Sequence, residues 1–281
     1  ALAASLFIPV EVTAVVVPLL YVIMGVAAFG ACFAAIRAEV VGARLISAGW
    51  VGITILSLIV NLSSLGVIPH VVANPAAWFY NDPITLEDHQ ASRWIVDPLH
   101  LLDCCQESDG GQALVVTSAE RARDLPNTPA LIVAGAQGAG VDQWTMTSFF
   151  RDDIAQLPEM KVVADELWTS SGLTPADIQT AILYDHFTPY VLMQLEEFGF
   201  CGRGEAKDFI KDGALEIGGH LPINTHGGQL GEAYIHGMNG IAEAVRQVRG
   251  TSVNQVDKVE NVLVTAGTGV PTSGLILGVD R

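Results

Sequence analysis

Two short stretches gather side chains able to move protons. Tyr184, Asp185 and His186 stand in a row, and NTHGGQLGEAYIHG, residues 224–237, sets His226, Tyr234 and His236 among Gly227, Gly228, Gly231 and Gly237. A free phenol titrates at about 10 and an imidazole at about 6.5, so tyrosines beside histidines can hold, pass or accept a proton once their surroundings shift them. Glycine costs stability inside regular structure, so a cluster of it implies close backbone approach or unusual dihedrals. Here the glycines are expected to let a ligand approach the main chain. The plainer alternative is a loop ahead of a helix, with each phenol a buried ring whose hydroxyl is hydrogen-bonded.

The elements that must position these residues can be read from spacing. TAILYD (180–185) is a short apolar run that reads as a strand, which puts Tyr184, Asp185 and His186 at its C-terminal end, where open α/β sheets build sites. Thr174-Pro175 and Thr188-Pro189 each pair a threonine cap with a proline at the first helical position, marking two helix starts. AYIHGMNGIAEAVRQVRG (233–250) places Ile241, Val245 and Val248 at helical spacing, Arg246 and Arg249 in the last turn and Gly250 as the stop. QALVVT (112–117), PALIVAGAQG (129–138), ENVLVTAG (260–267) and SGLILGV (273–279) read as strands, the last two as an antiparallel pair across the GTGVPT turn. Ahead of them the segment from Asn74 to Cys105 reads as a long ordered loop with short helices.

Charge narrows the partners. The net charge is −16, and because Glu11 and Glu39 cancel Arg37 and Arg44, the whole excess falls on residues 74–281. So negative a chain repels phosphate backbones, and Arg121, Arg123, Arg203 and Lys207 are too few for a nucleic-acid footprint. Cys32, Cys104, Cys105 and Cys201 form no CxxC pair and no zinc spacing, so no metal is expected and a reducing, cytoplasmic compartment fits residues 74–281. Adjacent Cys104 and Cys105 are expected as small buried apolar residues rather than reactive thiols.

Residues 1–73 have a different texture. Two stretches of 25 residues without a charge, 12–36 and 45–69, flank a connection that carries Arg37, Glu39 and Arg44. Each exceeds the roughly 20 apolar residues needed to cross a bilayer, so they read as an apolar helical hairpin that makes the chain membrane-associated. Buried helices of a soluble core are the alternative.

From residue 74 the sequence resembles a known family. The order of YDHFTP at a strand end, NTHGGQLGEAYIHG before a long helix and a final VLVTAGTG strand is similar to the C-terminal half of thiolase-fold enzymes. The stretch from NPAAWFYNDP to TSAERA looks like the lipid-transfer-protein branch of that fold, the aldolases of steroid side-chain degradation. The resemblance implies an α/β thiolase-like C-terminal half over 126–281, preceded by a thiolase-type loop region over 74–125. Since a thiolase fold is two similar halves around a common core, the chain reads as one half plus the loop region.

The resemblance also assigns roles, with departures. Matched on its phenylalanine, YDHF puts Tyr184 where thiolases carry an asparagine, and the glycine-rich loop puts Tyr234 where they carry a histidine. The acid-base cysteine would fall at Thr265, Ala266 or Gly267 and is absent, and the nucleophilic cysteine belongs to the other half. Claisen chemistry through an acyl-enzyme needs a thiolate, whereas retro-aldol cleavage needs only a base for the β-hydroxyl proton and donors that hold the enolate. The resemblance thus implies a retro-aldolase that cleaves a β-hydroxyacyl-CoA of the steroid side-chain type and releases propionyl-CoA. Tyr184 and Tyr234 would be catalytic, with His186, His226, Gly227, Gly228, His236 and Gly267 as substrate or oxyanion support. Coenzyme A enters only as part of the substrate, with no separate cofactor, and a DUF35 OB-fold partner and a homodimer are implied. A noncatalytic acyl-CoA binder and a thiolase-type acyltransferase are the alternatives.

Overall fold

The computed structural model of the protein describes residues 74–141, 152–267 and 272–280. The apolar hairpin expected over 12–69 lies outside them, and among the described residues no helix is long and apolar enough to cross a membrane.

The loop region begins with α1 (Leu86–Ala91), started by a capping box in which Thr85 and Asp88 exchange hydrogen bonds. A small hairpin of β1 (Trp94–Val96) and β2 (Leu99–His100) follows, then a single 3-10 turn at Leu101–Asp103 and the short α2 (Ala119–Arg123). Residues 112–117, expected as a strand, carry none: the segment has no ladder bonds, and Val115 is 92% exposed. An apolar β-prone run becomes a strand only when another strand satisfies its backbone, and among the described residues none lies beside it.

The α/β part runs β3 (Ala130–Gly138), α3 (Pro158–Ser171), β4 (Thr180–Ile182), α4 (Thr188–Glu197), α5 (Ala206–Phe209), α6 (Gly228–Gly231), α7 (Met238–Arg249), β5 (Asn261–Ala266) and β6 (Thr272–Val279). The strands form a mixed sheet in the order β3-β6-β5-β4, with β4 and β5 parallel and the other pairs antiparallel. Helices cover both faces. Leu263 and Ile276 pack with Met160, Val163 and Leu167 of α3 and Leu195 of α4, while Val262, Val264 and Leu277 pack with Ala244 and Val248 of α7. Successive strand residues thus bury into opposite layers, as the two-residue strand period requires.

Helix limits follow local chemistry. Pro158 opens α3 and left-handed Gly172, φ 69°, closes it; Gly250, φ 70°, closes α7 as its position predicts. The two Thr-Pro pairs behave differently from expectation. Thr174 does cap, exchanging bonds with Asp177, but over a single 3-10 turn. Thr188 is the first residue of α4 rather than its cap, because its hydroxyl is committed to the buried Asp103 carboxylate at 2.7 Å. The strand expected over 180–185 stops at Ile182. Beyond it, Leu183 donates its N–H to the Asn224 side chain and Tyr184 its N–H to the Thr265 hydroxyl, so side chains replace the ladder there.

Candidate active site

Two loops bring the phenols together. Tyr184 follows β4, and its main chain is clamped: Thr265 Oγ1 accepts the Tyr184 N–H at 2.8 Å, Thr265 donates to Gln194 Oε1 at 2.5 Å, and Gln194 Nε2 donates back to the Tyr184 carbonyl at 2.8 Å. Tyr234 lies between α6 and α7, its N–H donated to Ser108 Oγ at 3.2 Å. From these anchors the two hydroxyls meet at 3.0 Å, with ring centroids 6.4 Å apart and planes steeply inclined. His236 Nδ1 lies 3.3 Å from the Tyr234 hydroxyl.

Burial, and next the hydrogen bond to Tyr234, push the Tyr184 phenol well above its ordinary value. It therefore stays protonated across the accessible pH range and serves as a donor. His186 stacks between Tyr184 and Tyr190, with centroids at 5.1 and 4.4 Å, and burial lowers it to about 4. At neutral pH it is an uncharged wall of the site. Asp185 is fully buried, and burial raises it to about 6 even though the Gln229 N–H, at 2.7 Å, holds the ionised form.

The other expected site residues have different surroundings. His226 is buried beneath the loop, with Nε2 3.8 Å from Glu232 and its ring electrostatically coupled to Asp185. It is not joined to the hydroxyl pair. Gly227, φ 110°, caps α6, and Gly228, φ 66°, has its α-carbon against Asp185, where a Cβ would fall inside the carboxylate. Gly237, φ 83°, sits against the Tyr184 ring, with space for a Cβ only 3.4 Å from it. The glycines expected to admit a ligand thus have an internal reason: they let the loop close over Asp185 and Tyr184. Gly267, φ 75°, ends β5.

Of the three positions where the resemblance looks for a cysteine, Thr265, Ala266 and Gly267, only Thr265 carries a hydroxyl, and it is consumed by the clamp on Tyr184. Burial raises the Cys104 and Cys105 thiols to about 11 and Cys201 to about 12, so none of the three is a thiolate at neutral pH. Among the described residues no cluster of three or more His, Cys, Asp or Glu could hold a metal ion.

One element of the site has no signal in the sequence. The strap Cys104–Ser108 runs along both tyrosine loops: Cys104 bridges Phe187, Cys105 N–H donates to the His186 carbonyl at 2.9 Å, and Glu107 bridges Tyr234. At its root Asp103 is fully buried and accepts from the His100 N–H at 2.8 Å and the Thr188 hydroxyl at 2.7 Å, with His89 Nε2 at 2.9 Å. These partners are far apart in sequence, so no local pattern announces them.

The geometry agrees with what the chain is similar to. Residues 139–278 match the thiolase C-terminal domain-like family. A steroid side-chain-cleaving aldolase of Thermomonospora curvata is 76% identical over 212 residues, 75% of this chain and 54% of that protein. A 17-hydroxy-3-oxo-4-pregnene-20-carboxyl-CoA lyase of Mycobacterium tuberculosis is 71% identical over 209 residues, 74% of this chain and 54% of that protein. The solved structure titled Ltp2-ChsH2(DUF35) aldolase superposes with a TM-score of 0.77 at 72% identity, over 80% of this chain and 59% of that one. A monomeric SCP2-thiolase like protein from Mycobacterium smegmatis, 21% identical with a TM-score of 0.53 over 85% of this chain and 49% of that one, shares the fold. The chain spans about half the length of the curated relatives it matches. The chain belongs to the thiolase-like family, with residues 139–278 as its thiolase C-terminal domain.

Proposed function

We propose that this chain carries the proton-transfer site of a retro-aldolase that cleaves a β-hydroxyacyl-CoA, of the steroid side-chain class, to a ketone and propionyl-CoA. The observation that supports it most is the pair of phenol hydroxyls 3.0 Å apart on a thiolase-like frame. Cleavage breaks the bond between the α and β carbons. The β-hydroxyl gives up its proton as its carbon becomes a carbonyl, and the bonding pair moves to the α carbon as a thioester enolate. Tyr234 is the half-buried phenol beside a histidine and takes the hydroxyl proton; Tyr184, held neutral, donates to the enolate.

Cys104 and Cys105, raised to about 11, are protonated at neutral pH and are not acyl-enzyme nucleophiles. Coenzyme A enters as part of the substrate and no further cofactor is called for. A DUF35 OB-fold partner, a homodimeric assembly and a cytoplasmic setting belong to the same proposal; the relative titled as a complex with a DUF35 protein supports the first. The test is direct. The protein, co-purified with such a partner, is given a steroid CoA thioester bearing a side-chain β-hydroxyl, and propionyl-CoA release is followed by chromatography. Release from it, and none from the thioester lacking the hydroxyl, is expected; binding of both without cleavage would leave a noncatalytic acyl-CoA binder.

A further inference from the structure

The hydroxyl pair does not end at Tyr234. Tyr184 donates to the Tyr234 oxygen at 3.0 Å, which leaves the Tyr234 hydrogen free to point at His236 Nδ1, 3.3 Å away. Three groups from two loops thereby form one line, from a buried phenol through a half-buried one to an exposed imidazole. The His236 backbone is left-handed, φ 53°, and the next residue, Gly237, is left-handed too, φ 83°, as it caps α7. A side chain held there is strained, and such strain persists where the surroundings over-determine it. The imidazole lies against the Tyr234 ring, with centroids 4.7 Å apart.

We propose that His236 is the proton acceptor behind Tyr234, so that the working base is a Tyr234–His236 relay and the chain Tyr184–Tyr234–His236 carries one proton out and back. This rests on the aldolase reading and deepens it. On cleavage the substrate hydroxyl proton moves to the Tyr234 oxygen as the Tyr234 proton moves to His236 Nδ1. The β carbon becomes a carbonyl and the α carbon an enolate. On return Tyr184 protonates the α carbon, Tyr234 reprotonates Tyr184, and the imidazolium restores Tyr234. Protons balance and no phenolate accumulates, because the charge comes to rest on an imidazole. His236 acts through Tyr234 and is a positioning residue that sets the base's strength.

The tests separate this relay from the reaction itself. In the complex assayed with the β-hydroxyacyl-CoA thioester, His236→Ala is expected to lower kcat about 10- to 100-fold with KM changed less than about twofold, and added imidazole to restore part of kcat. An active His236→Ala enzyme within twofold of wild type, or a loss that imidazole leaves untouched, would overturn the relay while wild-type cleavage left the aldolase standing. Nitrogen-15 NMR of histidine-labelled protein needs no turnover: His236 is expected with its proton on Nε2, and Tyr234→Phe to shift the Nδ1 resonance. A wild-type His236 protonated on Nδ1 would overturn the relay even in a protein that cleaves nothing.

Discussion

In the proposed reaction Tyr184 and Tyr234 do unlike work because they sit at unlike depths. Tyr184 is buried, held by the Thr265–Gln194 clamp and pushed up as an acid; Tyr234 is half-buried and faces His236. Replacing either with Phe keeps the ring and removes the proton. Each of Tyr184→Phe and Tyr234→Phe is expected to lower kcat by about 100-fold or more, with the unfolding midpoint moved little, in a steady-state assay paired with a thermal melt. The double variant should fall little further, since residues acting as one unit are not additive. The two tyrosines were legible in the sequence because family motifs bracket them. The clamp was not: Thr265 to Tyr184 and Ser108 to Tyr234 span 81 and 126 residues, and no local spacing encodes such bonds.

At the scale of elements, Asp185 holds the loop that carries Tyr234. Its carboxylate takes the Gln229 N–H at the start of α6, and Gly228 makes room for it. Gly228→Ala would drive a methyl into that carboxylate from a left-handed position, so a loss of about 2 kcal/mol or more is expected in urea unfolding, together with loss of turnover. The raised pKa of Asp185 has a definite consequence. A carboxyl lifted from 3.8 unfolded to about 6 folded contributes most below pH 3.8 and loses that contribution as pH rises through about 6. By linkage this amounts to about 3 kcal/mol. Asp185→Asn removes the term, so wild type should gain on the variant as pH falls from 7 to 4; a constant difference between the two unfolding curves would contradict the burial account. Helix α7 and strands β5 and β6 were legible because caps, periodicity and apolar runs agree, as was the strand at β3. Residues 112–117 were misread because strand propensity speaks only for a half-buried pleat and is silent on whether a neighbour exists.

For the whole molecule, β3 is an edge of the sheet, and among the described residues nothing pairs with its outer side. Ile132 is 56% exposed there, and the unpaired Val115 and Val116 add to the apolar surface. Exposed edges and apolar patches associate. Residues 74–281 expressed alone are therefore expected to self-associate in sedimentation velocity, and a monodisperse monomer that unfolds cooperatively would contradict this. The chain spans about half of its curated relatives, so function is measured best with the full chain and a DUF35-type partner together. The most direct measurement follows propionyl-CoA released from a side-chain β-hydroxylated steroid CoA thioester by wild type and by Tyr234→Phe, side by side. The account predicts release by wild type and a loss of about 100-fold or more in the variant. Equal release by both, or thioester bound by both and cleaved by neither, would contradict it.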